Sequence, residues 1–222
     1  MTIRVLVNGA LGKMGLETVK AVEQDKELSL VAKTDAGDDL IKMMKDSKAQ
    51  VVVDFTNANV SYQNAKIIIA AGVHPVIGST GISSTQVKEL QKICLAKKLG
   101  GVIAPNFSIG ALLMMKYAKE AARYFSKAEI IEMHHDQKID APSGTALRTA
   151  EMISITKKTP IHSVRLPGLV AHQMVILGGN GETLTIRHDS IDRQAFMPGV
   201  MLACKEVMNL NQLIYGLEHL LL

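Results

Sequence analysis

Tryptophan is absent from this 222-residue chain, and cysteine occurs only twice, at Cys94 and Cys204. Two distant cysteines exclude a disulfide framework and a CxxC metal site, and they are typical of the reducing cytoplasm. No apolar run approaches the roughly 18 residues of a membrane-spanning helix. The chain begins at once with a strand pattern, which leaves no room for a signal peptide. We therefore expect a cytoplasmic protein without a membrane segment.

The chain also has no large excess of charge of either sign. The formal net charge is +4 and the isoelectric point is about 9.0. The basic residues form no block, and aromatic residues, which stack on bases, make up only 4%. Both observations argue against a nucleic-acid-binding module. A small anionic ligand suits this weakly basic balance equally well.

Apolar strands alternate with helices over the first hundred residues. This alternation predicts an α/β fold with a parallel, Rossmann-type sheet, in which ligands bind outside the carboxyl ends of the strands. The predicted strands cover 3–8, 28–35, 51–56, 74–81 and 101–107, and the predicted helices cover 16–24, 40–48, 61–72 and 83–100.

Beyond residue 107 the strands adjoin one another. The pattern there predicts a second, α+β domain with an open, mixed or antiparallel sheet. Its predicted elements are helices at 111–125 and 143–155, a strand at 128–135 and at least three strands within 161–190. The tail, 199–222, is predicted to be helical and to pack back on the first domain.

A glycine-rich loop follows the first strand. Gly9, Gly12 and Gly15 stand between a strand and a helix, where glycines allow a pyrophosphate to approach the helix N-terminus. The spacing is G-x-x-G-x-x-G, with Leu11 in the middle slot, so a purely structural turn is the alternative. Asp35 ends the second strand, where an acid binds a ribose hydroxyl of a dinucleotide or simply ends a strand.

The segment HHDQKIDAPSGTAL at 134–147 combines three features that a reductase needs. His134 and His135 are histidines, the residue type suited to proton transfer, and Lys138 can anchor a carboxylate or donate a proton. Ser143, Gly144 and Thr145 open a helix whose amides can hold a second carboxylate. A polar surface loop is the alternative, and adjacent histidines point to opposite faces of a strand, which argues against a zinc site.

Other polar residues carry less information. Asp136 and Asp140 are interpreted as turn or capping residues, and Cys94 as a buried thiol within a helix. Spacing alone does not decide whether Arg193, His172 and His188 bind a ligand.

The chain resembles the bacterial 4-hydroxy-tetrahydrodipicolinate reductases, or dihydrodipicolinate reductases, of lysine biosynthesis. The resemblance runs end to end and is carried by VNGALGKMG, VVDFTNA, VIGSTG, APNFSIGALLMM, EIIEMHHDQKIDAPSGTAL, HSVRLPGLVAHQ and LTIRHDSIDRQAFMPGV. It implies a dinucleotide-binding domain, 1–106 plus 194–222, that takes NADH or NADPH. It also implies a domain at 107–193 that binds a small dicarboxylate substrate and forms a homotetramer.

The resemblance assigns individual roles as well. It makes His134 the proton donor, Lys138 the second catalytic cation, and His135, Gly144 and Thr145 the substrate-carboxylate contacts. The implied cofactor positions are Gly9, Ala10, Leu11, Gly12, Lys13, Met14, Asp35, Phe55, Thr56, Gly78, Ser79, Thr80, Ala104, Pro105, Asn106, Phe107 and Arg193. No metal is expected.

The chain also departs from the family pattern. Ala36 stands where many members carry an arginine, which argues against a strong preference for NADPH. Two segments, between Asp35 and Val51 and between Ile155 and His162, are shorter than in many members. A non-catalytic NAD(H) sensor is the rival function, but it would have no need of the histidines, the lysine and the helix start.

Overall fold

A computed structural model describes residues 2–79, 81–153 and 159–221. The strands, in chain order, are β1 (Ile3–Asn8), β2 (Leu28–Thr34), β3 (Val51–Asp54), β4 (His74–Ile77), β5 (Gly101–Ile103), β6 (Lys127–His134), β7 (Ile161–Arg165), β8 (Ala171–Gly179), β9 (Glu182–Ser190) and β10 (Leu213–Tyr215). The α-helices are α1 (Lys13–Gln24), α2 (Leu40–Ser47), α3 (Ser61–Ala70), α4 (Ser84–Lys97), α5 (Ile109–Ala121), α6 (Gly144–Ile153) and α7 (Met197–Glu206).

The first sheet has six parallel strands in the order β10-β5-β4-β3-β1-β2. Its central strands are continuous apolar runs, because a parallel sheet is covered on both faces. The runs at Val5–Val7 and Val51–Val53 are completely buried. Polar residues follow at the carboxyl ends, so this edge of the sheet is where a ligand can be recognised.

The C-terminal tail differs from its prediction. A helix forms at α7, but the chain then passes through 3-10 turns into β10, which pairs in parallel with β5. The predicted continuous helix is therefore wrong beyond Glu206. A strand of three residues is too short to show a two-residue period, and its pairing with Gly101–Ile103 decides its conformation.

The second sheet is mixed, in the order β7-β6-β8-β9. Strands β6 and β7 are parallel, and the remaining pairs are antiparallel. Side chains on one face pack against α5 and α6, as shown by Gln173, whose amide reaches Thr149 on α6 and Met114 on α5. The predicted α/β fold with a second, mixed-sheet α+β domain is confirmed.

Two compact units divide the chain. The first comprises Met1–Phe107 and Phe196–Leu222, and the second comprises Ser108–Ala195. The functions predicted for the two domains stay predictions at this point. Within the described parts of the chain, no helix is long and apolar enough to cross a membrane.

Candidate active site

The glycine loop of the first unit passes tightly against the backbone that follows β3. Gly9 has a φ of +78°, and a Cβ there would lie 2.8 Å from the carbonyl oxygen of Phe55. A Cβ on Gly15 would lie 2.0 Å from the carbonyl oxygen of Gly9, so α1 begins directly on the loop. The first amides of α1 have no acceptor within their own helix. The loop therefore fits a dinucleotide pyrophosphate.

Asp35 lies beside this loop. One carboxylate oxygen accepts a hydrogen bond of 2.8 Å from the amide of Leu11, and the other accepts one of 2.8 Å from the amide of Ala36. These two backbone hydrogen bonds hold the pKa of Asp35 below its ordinary value. Asp35 is thus an ionised acceptor at neutral pH, as a ribose-binding acid has to be. The side chain of Leu11 is 76% exposed and blocks no part of the loop.

A cavity of about 500 Å³ opens at this edge of the sheet. It is lined by Asn8, Gly9, Gly12, Asp35, Ala36, Gly37, Asp38, Leu40, Phe55, Thr56, Asn57, Val60 and Asn64. The cavity thus gathers five predicted cofactor residues from three separate segments. Ala10, Lys13 and Met14 belong to the same loop and the start of α1.

The ring of Phe55 joins the remaining predicted cofactor segments. It stands edge-to-face with Phe107, with the ring centroids 5.8 Å apart. A Cβ on Gly78 would lie 2.0 Å from the Phe55 ring, so a side chain there would displace it. Ala104 continues the pairing of β4 and β5, with its amide donating to Ile77. Pro105 and Asn106 lead from Ala104 to Phe107, and Thr80 lies outside the described residues.

Asp54 is a buried carboxylate that the sequence reading did not include in the site. It is 0% exposed and accepts from the amide groups of Asn8 and Asn64, from the backbone and hydroxyl of Thr56, and from the hydroxyl of Ser79. These five hydrogen bonds fix the turns that follow β3 and β4. An acid directly after three buried valines was the available signal.

In the second unit, a buried carboxylate stands beside the predicted proton donor. Glu132 is 0% exposed, and its Oε2 lies 2.5 Å from Nδ1 of His134. Both terminal nitrogens of Arg165 donate hydrogen bonds to the same carboxylate, at 3.0 Å to Oε2 and at 2.7 Å to Oε1. The amide of Ser143 also donates to it, at 3.3 Å. The end of β6 and the start of α6 therefore lie side by side.

The start of α6 and the loop before it hold the other predicted substrate residues. Ser143 caps the helix by accepting from the amide of Ala146 at 3.2 Å, which leaves Gly144 and Thr145 in the first turn. His135 is half-buried at the end of β6. This helix start can bind an anion.

Lys138 is paired in a way that the sequence reading did not foresee. Its ammonium lies 2.7 Å from a carboxylate oxygen of Asp140, so Asp140 is an ion-pair partner of Lys138. The hydrogen bond from Lys138 lowers the pKa of Asp140. Asp136 is exposed. The cation of the site is thus balanced by an acid of its own loop.

The protonation of His134 reflects its surroundings. Burial lowers the pKa of His134 below its ordinary value, the contact with Glu132 opposes that effect, and the charges of Lys138 and Arg165 lower the pKa further. His134 is thus mostly neutral near pH 7.

Spacing alone left the roles of Arg193, His172 and His188 open, and the resemblance assigned Arg193 to the cofactor. Arg193 begins a 3-10 turn in the second unit. His172 is held by Asp189 at 2.7 Å and His188 by Ser108 at 3.2 Å. Among the described residues, no group of three or more histidines, cysteines or acids is placed to hold a metal. Burial raises the pKa of the Cys94 thiol to about 11, so it is not a nucleophile.

The chain is similar to one family throughout its length. A model described as "Dihydrodipicolinate reductase, N-terminus" matches residues 3–107, and "Dihydrodipicolinate reductase, C-terminus" matches residues 110–221. Proteins named 4-hydroxy-tetrahydrodipicolinate reductase from Coxiella burnetii and Legionella pneumophila are 52% and 51% identical, with all of each chain covered. These alignments span 239 and 243 positions, so both relatives contain residues that this chain lacks.

Solved structures are similar to this chain as well. A dipicolinate-bound dihydrodipicolinate reductase from Paenisporosarcina sp. TG-14 is 38% identical, with a TM-score of 0.88 and 99% of each chain covered. A probable dehydrogenase from Thermotoga maritima has a TM-score of 0.72 over 98% of this chain and 92% of its own. At 10% identity, that second match shows the fold alone.

Replacing the buried acid of the first unit tests its structural role. Asp54→Asn puts an amide donor against other donors, so we expect the free energy of unfolding to fall by about 2 kcal/mol. Urea denaturation followed by circular dichroism measures the change. Asp46→Asn, at an exposed position on α2, is the matched control. Equal stability of the two variants would contradict the role given to Asp54.

Proposed function

Since the chain belongs to the dihydrodipicolinate reductase family, we propose that it reduces 4-hydroxy-tetrahydrodipicolinate to tetrahydrodipicolinate with a hydride from NAD(P)H. It is an oxidoreductase of the diaminopimelate and lysine pathway. The observation that carries the proposal is the contact of one buried carboxylate with both His134 and the amide of Ser143. That contact supports a role for His134 as a proton donor beside a helix N-terminus that could hold a carboxylate.

The second unit supplies the substrate contacts in this proposal. The substrate is a small cyclic imine with two carboxylates, and the dipicolinate named with the Paenisporosarcina structure is a planar dicarboxylate of similar shape. Lys138, His135 and the start of α6 at Ser143–Thr145 hold the two carboxylates. The 4-hydroxyl leaves as water, which gives a conjugated cyclic imine. After hydride addition to that imine, His134 would give a proton to the basic atom that remains, so the overall change consumes NAD(P)H and one proton and releases water. The half-buried position of His134 limits the loss of that proton to water.

The first unit holds the cofactor. A nicotinamide cofactor supplies the hydride when it is bound. The loop Gly9–Met14 receives the pyrophosphate at the start of α1, and Asp35 accepts from the adenosine ribose. The residues that would frame the nicotinamide are Phe55, Thr56, Gly78, Ser79 and Ala104–Phe107. The family resemblance adds Arg193 to the cofactor contacts.

The cavity lining favours NADH over NADPH. Asp35 and Asp38 both line it beside Ala36, and no lysine or arginine is among the described residues that line it. A 2′-phosphate carries about −1.5 to −2 charges near pH 7 and would face these carboxylates. Repulsion between the 2′-phosphate and these carboxylates disfavours the binding of NADPH. We therefore propose NADH as the preferred reductant.

An apolar face on the sheet of the second unit supports a proposal for assembly. Ile131 and Met133 on β6, with Met174 and Ile176 on β8, form an apolar group on the face opposite α5 and α6. All four are half-buried in the single chain. We propose that copies of the chain pack through this face into a homotetramer.

The cytoplasm is the proposed location, because both cysteines are free, buried thiols and NADH is available there.

Activity and the role of Lys138 can be tested together. Loss of absorbance at 340 nm with enzymatically prepared substrate is expected for the unaltered chain. Lys138→Ala should lower turnover by about a thousandfold, because it removes both an anchor and a proton source. NADH binding, followed by fluorescence, should be retained. Lys127→Ala, at an exposed position on β6, is the control, and full activity of Lys138→Ala would refute the mechanism.

Cofactor preference is a second test. We expect kcat/KM to be about tenfold higher with NADH than with NADPH, a difference of about 1.4 kcal/mol. Ala36→Arg should raise kcat/KM for NADPH by offering a cation to the 2′-phosphate. Ala36→Gln, similar in length but uncharged, should not. A preference of the unaltered chain for NADPH would contradict the proposal.

The assembly face gives a third test. Met174→Glu buries a charge in the proposed interface, so the tetramer should dissociate into smaller species. Sedimentation equilibrium measures the mass. Leu95→Glu changes an equally apolar but exposed side chain on α4 and should leave the mass unchanged. A tetramer that survives Met174→Glu would exclude this face.

A further inference from the structure

The proposed mechanism assigns its proton transfer to His134 and Lys138, and it gives no role to the ion pair that Glu132 and Arg165 form next to His134. Both residues lie on the inner face of the second sheet, at the β6–β7 pairing, and Glu132 is completely buried. A buried ion pair is weak support for stability, because removing two charges from water offsets their attraction. In addition, Nε of Arg165 is buried and has no hydrogen-bond partner among the described residues. Stability alone does not account for the pair.

The contacts of the pair reach each part of the substrate site. Glu132 contacts Nδ1 of His134 and the amide of Ser143, which begins the substrate-binding helix. Arg165 donates to the backbone carbonyl of Asp140 at 2.6 Å. That carbonyl belongs to the loop on which Lys138 lies. The pair therefore joins the proton donor, the lysine loop and the helix start.

The ionised glutamate also dictates the tautomer of His134. Burial alone would raise the pKa of Glu132, but hydrogen bonds from Arg165, Ser163 and His134 outweigh burial and the pKa is lowered. An ionised carboxylate only accepts hydrogen bonds. Nδ1 of His134 must therefore carry a hydrogen, which leaves Nε2 as the nitrogen that exchanges a proton.

We propose that Glu132, held by Arg165, is the positioning residue that fixes His134 as the Nδ1–H tautomer, with Nε2 directed to proton transfer. The proposal rests on the proposed reductase function, in which His134 donates the proton. The pair also acts on charge. Four charged groups face His134, namely Glu132 on its own strand, Arg165 on β7, and Lys138 and Asp140 on the following loop.

Two substitutions should affect His134 in opposite directions. Glu132→Gln removes the anion nearest to His134, so its pKa falls. Arg165→Met removes a cation and leaves the anion, so the pKa rises. Since His134 donates its proton in the protonated form, kcat/KM declines as pH rises through this pKa. The decline should move to lower pH in Glu132→Gln and to higher pH in Arg165→Met.

Turnover gives a second readout. We expect Glu132→Gln to lower kcat by about a hundredfold, a magnitude typical of a general acid that is lost or misoriented. The KM for NADH should not change. Glu129→Gln is the matched control, because Glu129 lies on the same strand and also contacts a histidine, His162 at 2.8 Å, but both side chains are more than half exposed. It should retain the unaltered kcat and pH profile.

Histidine nitrogen NMR on the ligand-free chain tests the positioning without any enzyme assay. Nδ1–H should be the main tautomer of neutral His134 in the unaltered chain and should lose its dominance in Glu132→Gln. If Arg165→Met does not fold, Arg165→Lys replaces it in the assay. Lysine keeps the positive charge but cannot donate the paired hydrogen bonds of a guanidinium, so kcat should fall, but by less than in Glu132→Gln. An unchanged tautomer in Glu132→Gln, or pH profiles that shift in the same direction, would overturn the proposal. An inactive unaltered chain with the expected tautomer would instead count against the reductase function alone.

Discussion

A carboxylate that folding removes from water has to be compensated by hydrogen bonds, and each unit contains one at or near the end of a strand. Asp54 is surrounded by five neutral donors. Glu132 is held by the guanidinium of Arg165, the imidazole of His134, the side chain of Ser163 and the amide of Ser143. The surrounding segments adopt the conformations that bring those donors into place. In each unit, two of the residues assigned to binding donate to the buried acid: Thr56 and Ser79 to Asp54, and His134 and Ser143 to Glu132.

The two acids differ in what they can do. Neutral amides and hydroxyls around Asp54 hold no titratable proton near pH 7, so that cluster acts as a fixed support for Thr56 and Ser79. Glu132 instead contacts His134, whose charge changes near neutrality. Its surroundings therefore respond to proton transfer. This division fits a cofactor site that must stay rigid and a substrate site that must exchange a proton.

Much of this arrangement could be predicted from the sequence. The strand–helix alternation predicted the parallel sheet, and HHDQKIDAPSGTAL predicted that His134 and the helix start at Ser143 belong to one polar cluster, which Glu132 joins by contacting both. Strand β10 was missed because three residues show no period, and the ion pair of Lys138 with Asp140 was missed because it depends on the loop conformation. Arg165 was missed because it lies 33 positions from Glu132, and only the parallel pairing of β6 with β7 brings the two together. Glu132 itself could have been found, since it follows the buried Ile130 by two residues on a strand.

The discontinuity of the first unit has a consequence for the order in which the chain can be completed. The second unit is inserted between Phe107 and Phe196, so ribosomal synthesis produces it before α7 and β10 exist. Until Leu213–Tyr215 emerge, β5 exposes the backbone groups that β10 later pairs with. A chain released before that point would contain the whole second unit, but strand β5 of the first sheet would be unpaired on one side. Pairing with β10 covers this side of β5 and makes a strand of only three residues the edge of the sheet, which offers little backbone to another chain.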